Sequence, residues 1–166
     1  KVDSLSLLPA DLDLSGIEIE LAMRIGREHR LRIALEGAME HFDLIIIDTP
    51  ASLGLLTVNA LTAADWLLIP IQAEFYALES MGQLLETLRK VQSRVNPSLK
   101  LLGISMTMVQ TGSNLGKMVG DSALRHFGER ILRTSIPRSV SIAEAPLSGG
   151  PIALTCLLYT SDAADD

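Results

Sequence analysis

The sequence predicts an α/β protein: a doubly wound, mostly parallel sheet with helices on both faces. Three observations carry this. Short apolar runs, too brief for stable helices, recur along the chain. They are near-continuously hydrophobic rather than strictly alternating, as strands buried on two faces require. Helical patterns separate them, and strand-helix-strand order implies right-handed crossovers.

In chain order, the first apolar run is SLSLLP at residues 4–9, followed by weak helical patterns at 16–26 and 31–41. DLIIID at 43–48 reads as a strand, 53–62 as a helix and WLLIPI at 66–71 as a strand. The clearest helix covers 78–95. There Leu78, Met81, Leu84, Leu85, Leu88, Val91 and Val95 recur at intervals of three and four, while Glu86, Arg89, Lys90 and Arg94 take the opposite side. Asn96-Pro97 marks its end. LKLLGISMTMV at 99–109 is the next strand, 115–127 a helix with Asn114 as its cap, and RILRTSIP at 130–137 the last strand.

Length and composition narrow the class. A chain of 166 residues, 48% hydrophobic with mean hydropathy +0.31, suits one core-bearing domain and excludes a disordered one. No internal repeat or dividing linker is visible. No apolar run approaches the roughly 20 residues of a membrane span, and the N-terminus lacks a signal-peptide layout, so a cytoplasmic protein is expected. A net charge of −6 argues against a dedicated basic nucleic-acid binder but permits a local basic patch. The single Cys156 makes neither an internal disulfide nor a cysteine metal cluster. His29, His41 and His126 have no metal-ligand spacing and read as surface or satisfied histidines.

Ligands of such folds sit at the carboxyl ends of the strands, which directs attention to Asp48 in FDLIIIDTPASLG. A carboxylate there suits a Mg²⁺ ion with bound phosphates, held through retained water. It equally suits the cap of the following turn or helix. Pro50 restricts Thr49 to extended geometry and steadies the loop on either reading.

FDLIIIDTPASLGLLTVNALTAAD, LLIPIQAEFYALESMGQLLETL and SIPRSVSIAEAP resemble, in one collinear order, the ParA/Soj ATPases of chromosome and plasmid partitioning, members of the deviant Walker A group. LPADLDLSGIEIEL is similar to the family's stretch upstream of Walker B, and the resemblance runs from about residue 5 to 152. It implies ATP and Mg²⁺ as cofactors, with Asp48 as the Walker B aspartate that is both catalytic and, through water, the metal ligand. It also implies an ATP-bound homodimer that binds DNA without sequence preference, is stimulated by a ParB-like partner, associates with the nucleoid and has no stable membrane attachment. Pro137, Arg138 and Ser139 resemble the loop beside the adenine base, although a Pro-stiffened strand exit would look the same. Glu144-Ala145-Pro146 shapes that loop. Gln72, Glu74 and Tyr76 correspond to the dimer face or to a plain surface loop. Lys117, Arg125, Arg130 and Arg133 are the DNA-binding candidates, against the alternative of a solvated helix face; Gly128 stands where relatives often carry a basic residue.

The chain departs from the family at several points. Ala51 replaces a usual Pro. The phosphate-binding loop of the type KGGxGKT, with the acidic-Pro-Gln motif after it, is absent, and GSNLGK at 112–117 is too short to serve. Residues 1–154 are therefore expected to be an incomplete ATPase domain with negligible nucleotide affinity alone, and sequence upstream of Lys1 is expected to encode the missing loop. The stretch 155–166 reads as a non-native read-through tail. MinD-like and orphan ParA-like positioning ATPases are the alternatives; SLGLLTVNAL and AEAP favour the partitioning branch. A phospho-accepting receiver module is rejected, because Asp11 and Asp13 lie beyond Pro9 and the last strand leads to Pro137-Arg138 rather than to a lysine.

Overall fold

The computed structural model describes residues 5–50, 52–110, 114–149 and 152. Its centre is a parallel strand pair, β1 (Trp66–Gln72) and β2 (Lys100–Thr107), joined by the long helix α4 (Phe75–Arg94). This is the crossover unit expected of an α/β sheet. Side chains alternate along β1 as the pleat demands: Ile69 and Ile71 are buried, whereas Trp66, Leu68 and Pro70 are exposed. The register slips once, since Leu67 faces Leu101 and Leu68 faces Gly103, leaving Leu102 as the extra residue of a bulge on β2. At the start of the pair Trp66 faces Lys100, whose Nζ lies 5.2 Å from the ring centroid.

Pro70 is compatible with β1 because of the hydrogen-bond alternation. Ala73 N donates to Thr107 O at 3.0 Å and Asp65 O accepts from Lys100 N at 2.9 Å, so the odd-numbered residues of this strand bond to β2. The missing N–H of Pro70 therefore falls on the other edge.

One core lies under the pair. Ile69, Ile71, Ile104 and Met106 meet Met81 of α4 and Ala123 of α5 (Asn114–Phe127), with Leu84, Leu85, Phe127 and Ile131 at its border. A second cluster joins Leu61 of α3 (Leu55–Ala63) to Leu88 and Val91 of α4 and to Leu99. Of the periodic positions in the 78–95 pattern, Met81, Leu88 and Val91 are buried and Leu84, Leu85 and Val95 pack partly buried against the two clusters, which is why this helix forms as expected. The remaining helices are short: α1 (Ile17–Ala22), α2 (Arg30–Leu35) and α6 (Val140–Glu144). The pattern over 31–41 stops early because Gly37 interrupts it; residues 36–41 form turns.

Three expected strands differ from the prediction. Residues 5–10 and 44–50 carry neither helix nor ladder, and Leu44 and Ile46 are 75% and 83% exposed. A strand exists only against a neighbour, and the described residues offer none to either segment. The segment at 130–137 does run parallel beside β2, but through two isolated bridges, Ile104 with Ile131 and Val109 with Pro137. Six steps on one side thus face five on the other, and the extra residue breaks the ladder. Pro137 fits because its neighbours make the bonds: Val109 N donates to Ile136 O at 3.1 Å, and Arg138 N donates to Val109 O at 3.0 Å. The stretch 155–166 and Cys156 lie outside the described residues.

Candidate functional site

Asp48 is solvent-exposed at the end of the apolar segment, with Ile45 and Ile47 half-buried behind it. Of its two sequence-level roles, capping of the next helix is filled by another residue. The N-cap of α3 is Gly54, which has no side chain to offer, and the N–H of Leu56 donates instead to Glu18 Oε1 at 3.0 Å. Among the described residues Asp48 makes no hydrogen bond or ion pair. Its carboxylate is free for an oxygen-seeking cation.

The scaffold downstream of Asp48 is tied to the segment upstream of it. Thr57 Oγ1 donates to Ser52 O at 2.6 Å, drawing the loop onto the first turn of α3. Asn59, buried within α3, donates through Nδ2 to Arg27 O at 2.8 Å and Leu55 O at 3.0 Å, and its Oδ1 accepts from Leu31 N at 3.1 Å. These bonds fasten α3 to the start of α2. The sequence reading missed Glu18, Thr57 and Asn59. The one local signal was Gly54 standing where a capping Ser, Thr, Asp or Asn would be usual.

Pro137 and Arg138 are exposed beside Val109 at the carboxyl end of β2, and Ser139 is the N-cap residue of α6 with no side-chain cap bond. Just before the Val109 bridge, Met108 adopts a left-handed backbone with φ of 54°. Gln72 and Glu74 emerge, exposed, from the parallel β1 at the same end of the sheet. The side chain of Tyr76 is outside the described set. No hydrogen bond or ion pair joins Asp48 to Pro137, Arg138 or Ser139 among the described residues. Arg125 is exposed on α5, Arg130 and Arg133 are exposed after it, and none of the three is ion-paired among the described residues. The side chain of Lys117 is not described.

Among the described residues, the two carboxyls held below the usual range belong to surface pairs. Glu28 is lowered by its own backbone N–H and then by Arg27, and Glu86 by the hydrogen bond and charge of Lys90. No cluster of three metal-binding side chains occurs among the described residues, and no helix there is long and apolar enough to cross a membrane.

Known proteins bear on this geometry. A family model described as an AAA domain matches residues 1–101. The chain is 48% identical over 153 residues to the sporulation initiation inhibitor protein Soj of Bacillus subtilis, covering 92% of this chain and 60% of that protein. It is 42% identical to the chromosome partitioning protein ParA of Caulobacter vibrioides, covering 93% and 58%, and 47% identical to the chromosome-partitioning ATPase Soj of Thermus thermophilus, covering 92% and 59%. The chain thus spans about 60% of the length of these relatives. Among solved structures, a cobyrinic acid a,c-diamide synthase from Mycobacterium smegmatis with bound ATP analogue and magnesium superposes with a TM-score of 0.75 at 37% identity, covering 86% of this chain and 64% of that one. Apo McdA from Cyanthece superposes at 0.81 with 23% identity, covering 90% and 61%, a likeness of fold alone. The expected α/β class holds, as does the expected resemblance to ParA and Soj proteins: the chain belongs to the AAA-domain family and is similar in sequence to ParA and Soj.

Proposed function

We propose that this chain is the Walker B-bearing part of a ParA-type ATPase whose Asp48 anchors Mg²⁺, through water, beside the phosphates of ATP. The observation that carries the reading is an apolar segment ending in an exposed carboxylate that the next helix does not use as its cap. Membership of a family whose relatives are named as partitioning ATPases supports it. So does the structural neighbour bound to an ATP analogue and magnesium.

The donor chemistry fits the ion. Mg²⁺ takes hard oxygen ligands and is commonly bound by one or two carboxylates while it keeps several waters. When bound, it would offset the charge that develops on the transferring phosphoryl group. This chain supplies the carboxylate and a short loop stiffened by Pro50. Residues 1–166 contain no phosphate-cradling loop with its lysine, so turnover belongs to the complete protein, and Pro137, Arg138 and Ser139 are the adenine-side candidates there.

In the same reading, the complete protein dimerises with ATP, binds DNA non-specifically and is stimulated by a ParB-like partner at the nucleoid. The exposed, unpaired Arg125, Arg130 and Arg133 supply phosphate-neutralising charge, with Lys117 in the same stretch of sequence.

The test is the complete gene product carrying Asp48→Ala. Magnesium-dependent ATP turnover is expected to fall by at least about 100-fold, while stability stays within about 0.5 kcal/mol because the side chain is exposed. Unchanged turnover rejects the role.

A further inference from the structure

We infer that Glu18 is a positioning residue for Asp48, acting across the chain on the helix that follows the Asp48 loop; the inference rests on the reading of Asp48 given above. The first N–H groups of an α-helix have no partner within it, and a side chain at the N-cap ordinarily supplies one. Gly54 cannot. Glu18 arrives from α1, 38 residues earlier, and its Oε1 accepts from Leu56 N at 3.0 Å. A carboxylate at this end of a helix is also favoured by the helix dipole.

The glycine and the carboxylate fit each other. A Cβ on Gly54 would stand 2.5 Å from Glu18 Oε1 and 3.2 Å from its Cδ, too close for both to keep their places. The φ of Gly54 is −79°, which any residue can adopt, so space and not backbone freedom requires glycine here.

The consequence for Asp48 follows from chain length. Ser52 is held by Thr57, and Leu56 by Glu18, so the loop is fixed a few residues after the carboxylate. Pro50 removes one more torsion from the interval. Releasing Glu18 frees the first turn of α3, and with it the far anchor of the Asp48 loop. Displacement of a reacting group by about 1 Å costs up to about 100-fold in rate. On the reading above, the adenine-side candidates Pro137, Arg138 and Ser139 are in a different segment from this loop, so the loss is expected mainly in kcat.

The experiment uses the complete protein with Glu18→Ala, Glu18→Gln, Gly54→Ala, the Glu18→Ala/Gly54→Ala double variant and Asp48→Ala. Glu18→Ala and Gly54→Ala are each expected to lower kcat about 10- to 100-fold, with KM for ATP within about twofold. The double variant should be no worse than either single one, because both remove the same contact. Glu18→Gln keeps a carbonyl acceptor and should recover most of the rate. Should Glu18→Ala fail to fold, Gly54→Ala still removes the contact, since it displaces only the end of a flexible side chain. A kcat within twofold of the parent for Gly54→Ala, fully additive losses, or a loss that appears in KM alone overturns the inference. If Asp48→Ala itself retains turnover, the parent reading is what fails. If Asp48→Ala is dead while Glu18→Ala and Gly54→Ala are fully active, only the positioning role fails.

Discussion

Asn96 closes a helix to which it does not belong: its side-chain amide donates to the carbonyl of Ala64, 32 residues earlier, at 2.8 Å. The same nitrogen reaches Leu61 O at 3.0 Å and Thr62 O at 3.2 Å, so carbonyls left open at the end of α3 are satisfied from the turn after α4. Asn96 is 3% exposed, and its Oδ1 accepts from the Ser98 hydroxyl at 2.8 Å. Glu18 and Asn96 therefore hold α3 at its two ends and Asn59 holds its middle. A nine-residue helix that would be marginal alone is locked by two remote side chains, Glu18 and Asn96, and by its own Asn59 reaching out to Arg27 and Leu31.

Asn96→Ala is expected to destabilise the fold by about 2–3 kcal/mol, the cost of leaving buried carbonyls unpartnered. Asn96→Asp should cost more at neutral pH, because an ionised carboxylate can only accept and would face three acceptors. Urea unfolding checks both. A midpoint shift in the order Asp greater than Ala, at unchanged slope, is the expected result; no shift for Ala would show that water replaces the amide without penalty.

Gly103 sits against the last parallel segment. A Cβ there would stand 2.5 Å from Leu132 Cδ2, 2.8 Å from Leu132 Cγ and 3.3 Å from Arg130 O. Gly103→Ala should therefore cost about 1–3 kcal/mol by overpacking. In a Leu132→Ala background most of that cost should disappear, since the clashing atoms are gone. A double-mutant cycle with coupling under about 0.5 kcal/mol would contradict the packing shown here.

Met108 carries the strain of the turn between β2 and the Val109 bridge. Its left-handed backbone costs an L-residue about 1–2 kcal/mol, and its half-exposed side chain contributes little burial in return. Met108→Gly should raise stability by about 0.5–1 kcal/mol after glycine's greater unfolded-state freedom is subtracted. A lowered denaturation midpoint would mean that the Met side chain supports the Pro137 segment.

Much of the fold was legible because its signals are local. The three- and four-residue recurrence picks out Met81, Leu88 and Val91, which α4 buries, and WLLIPI and LKLLGISMT name β1 and β2 within a residue or two. Asp48 was legible as a candidate for the same reason: an apolar run and the carboxylate that ends it are adjacent in the chain. The segments at 44–50 and 130–137 look no different in sequence from β1. Apolar content does not say which neighbour a strand will find, nor that six residues will face five.

What the sequence alone determined is therefore what side-chain period and backbone propensity dictate over a turn or two: the α/β class, the long helix, the central strand pair and the exposed acid at the end of an apolar run. Only the tertiary structure decided that Glu18, not Asp48, caps α3, that Asn59 and Asn96 fasten the same helix to Arg27 and from the α4 turn, and that Pro137 lies opposite Val109. The physical reason is that a buried N–H or C=O must find a partner somewhere, and which distant side chain meets it is fixed by packing in space rather than by spacing along the chain.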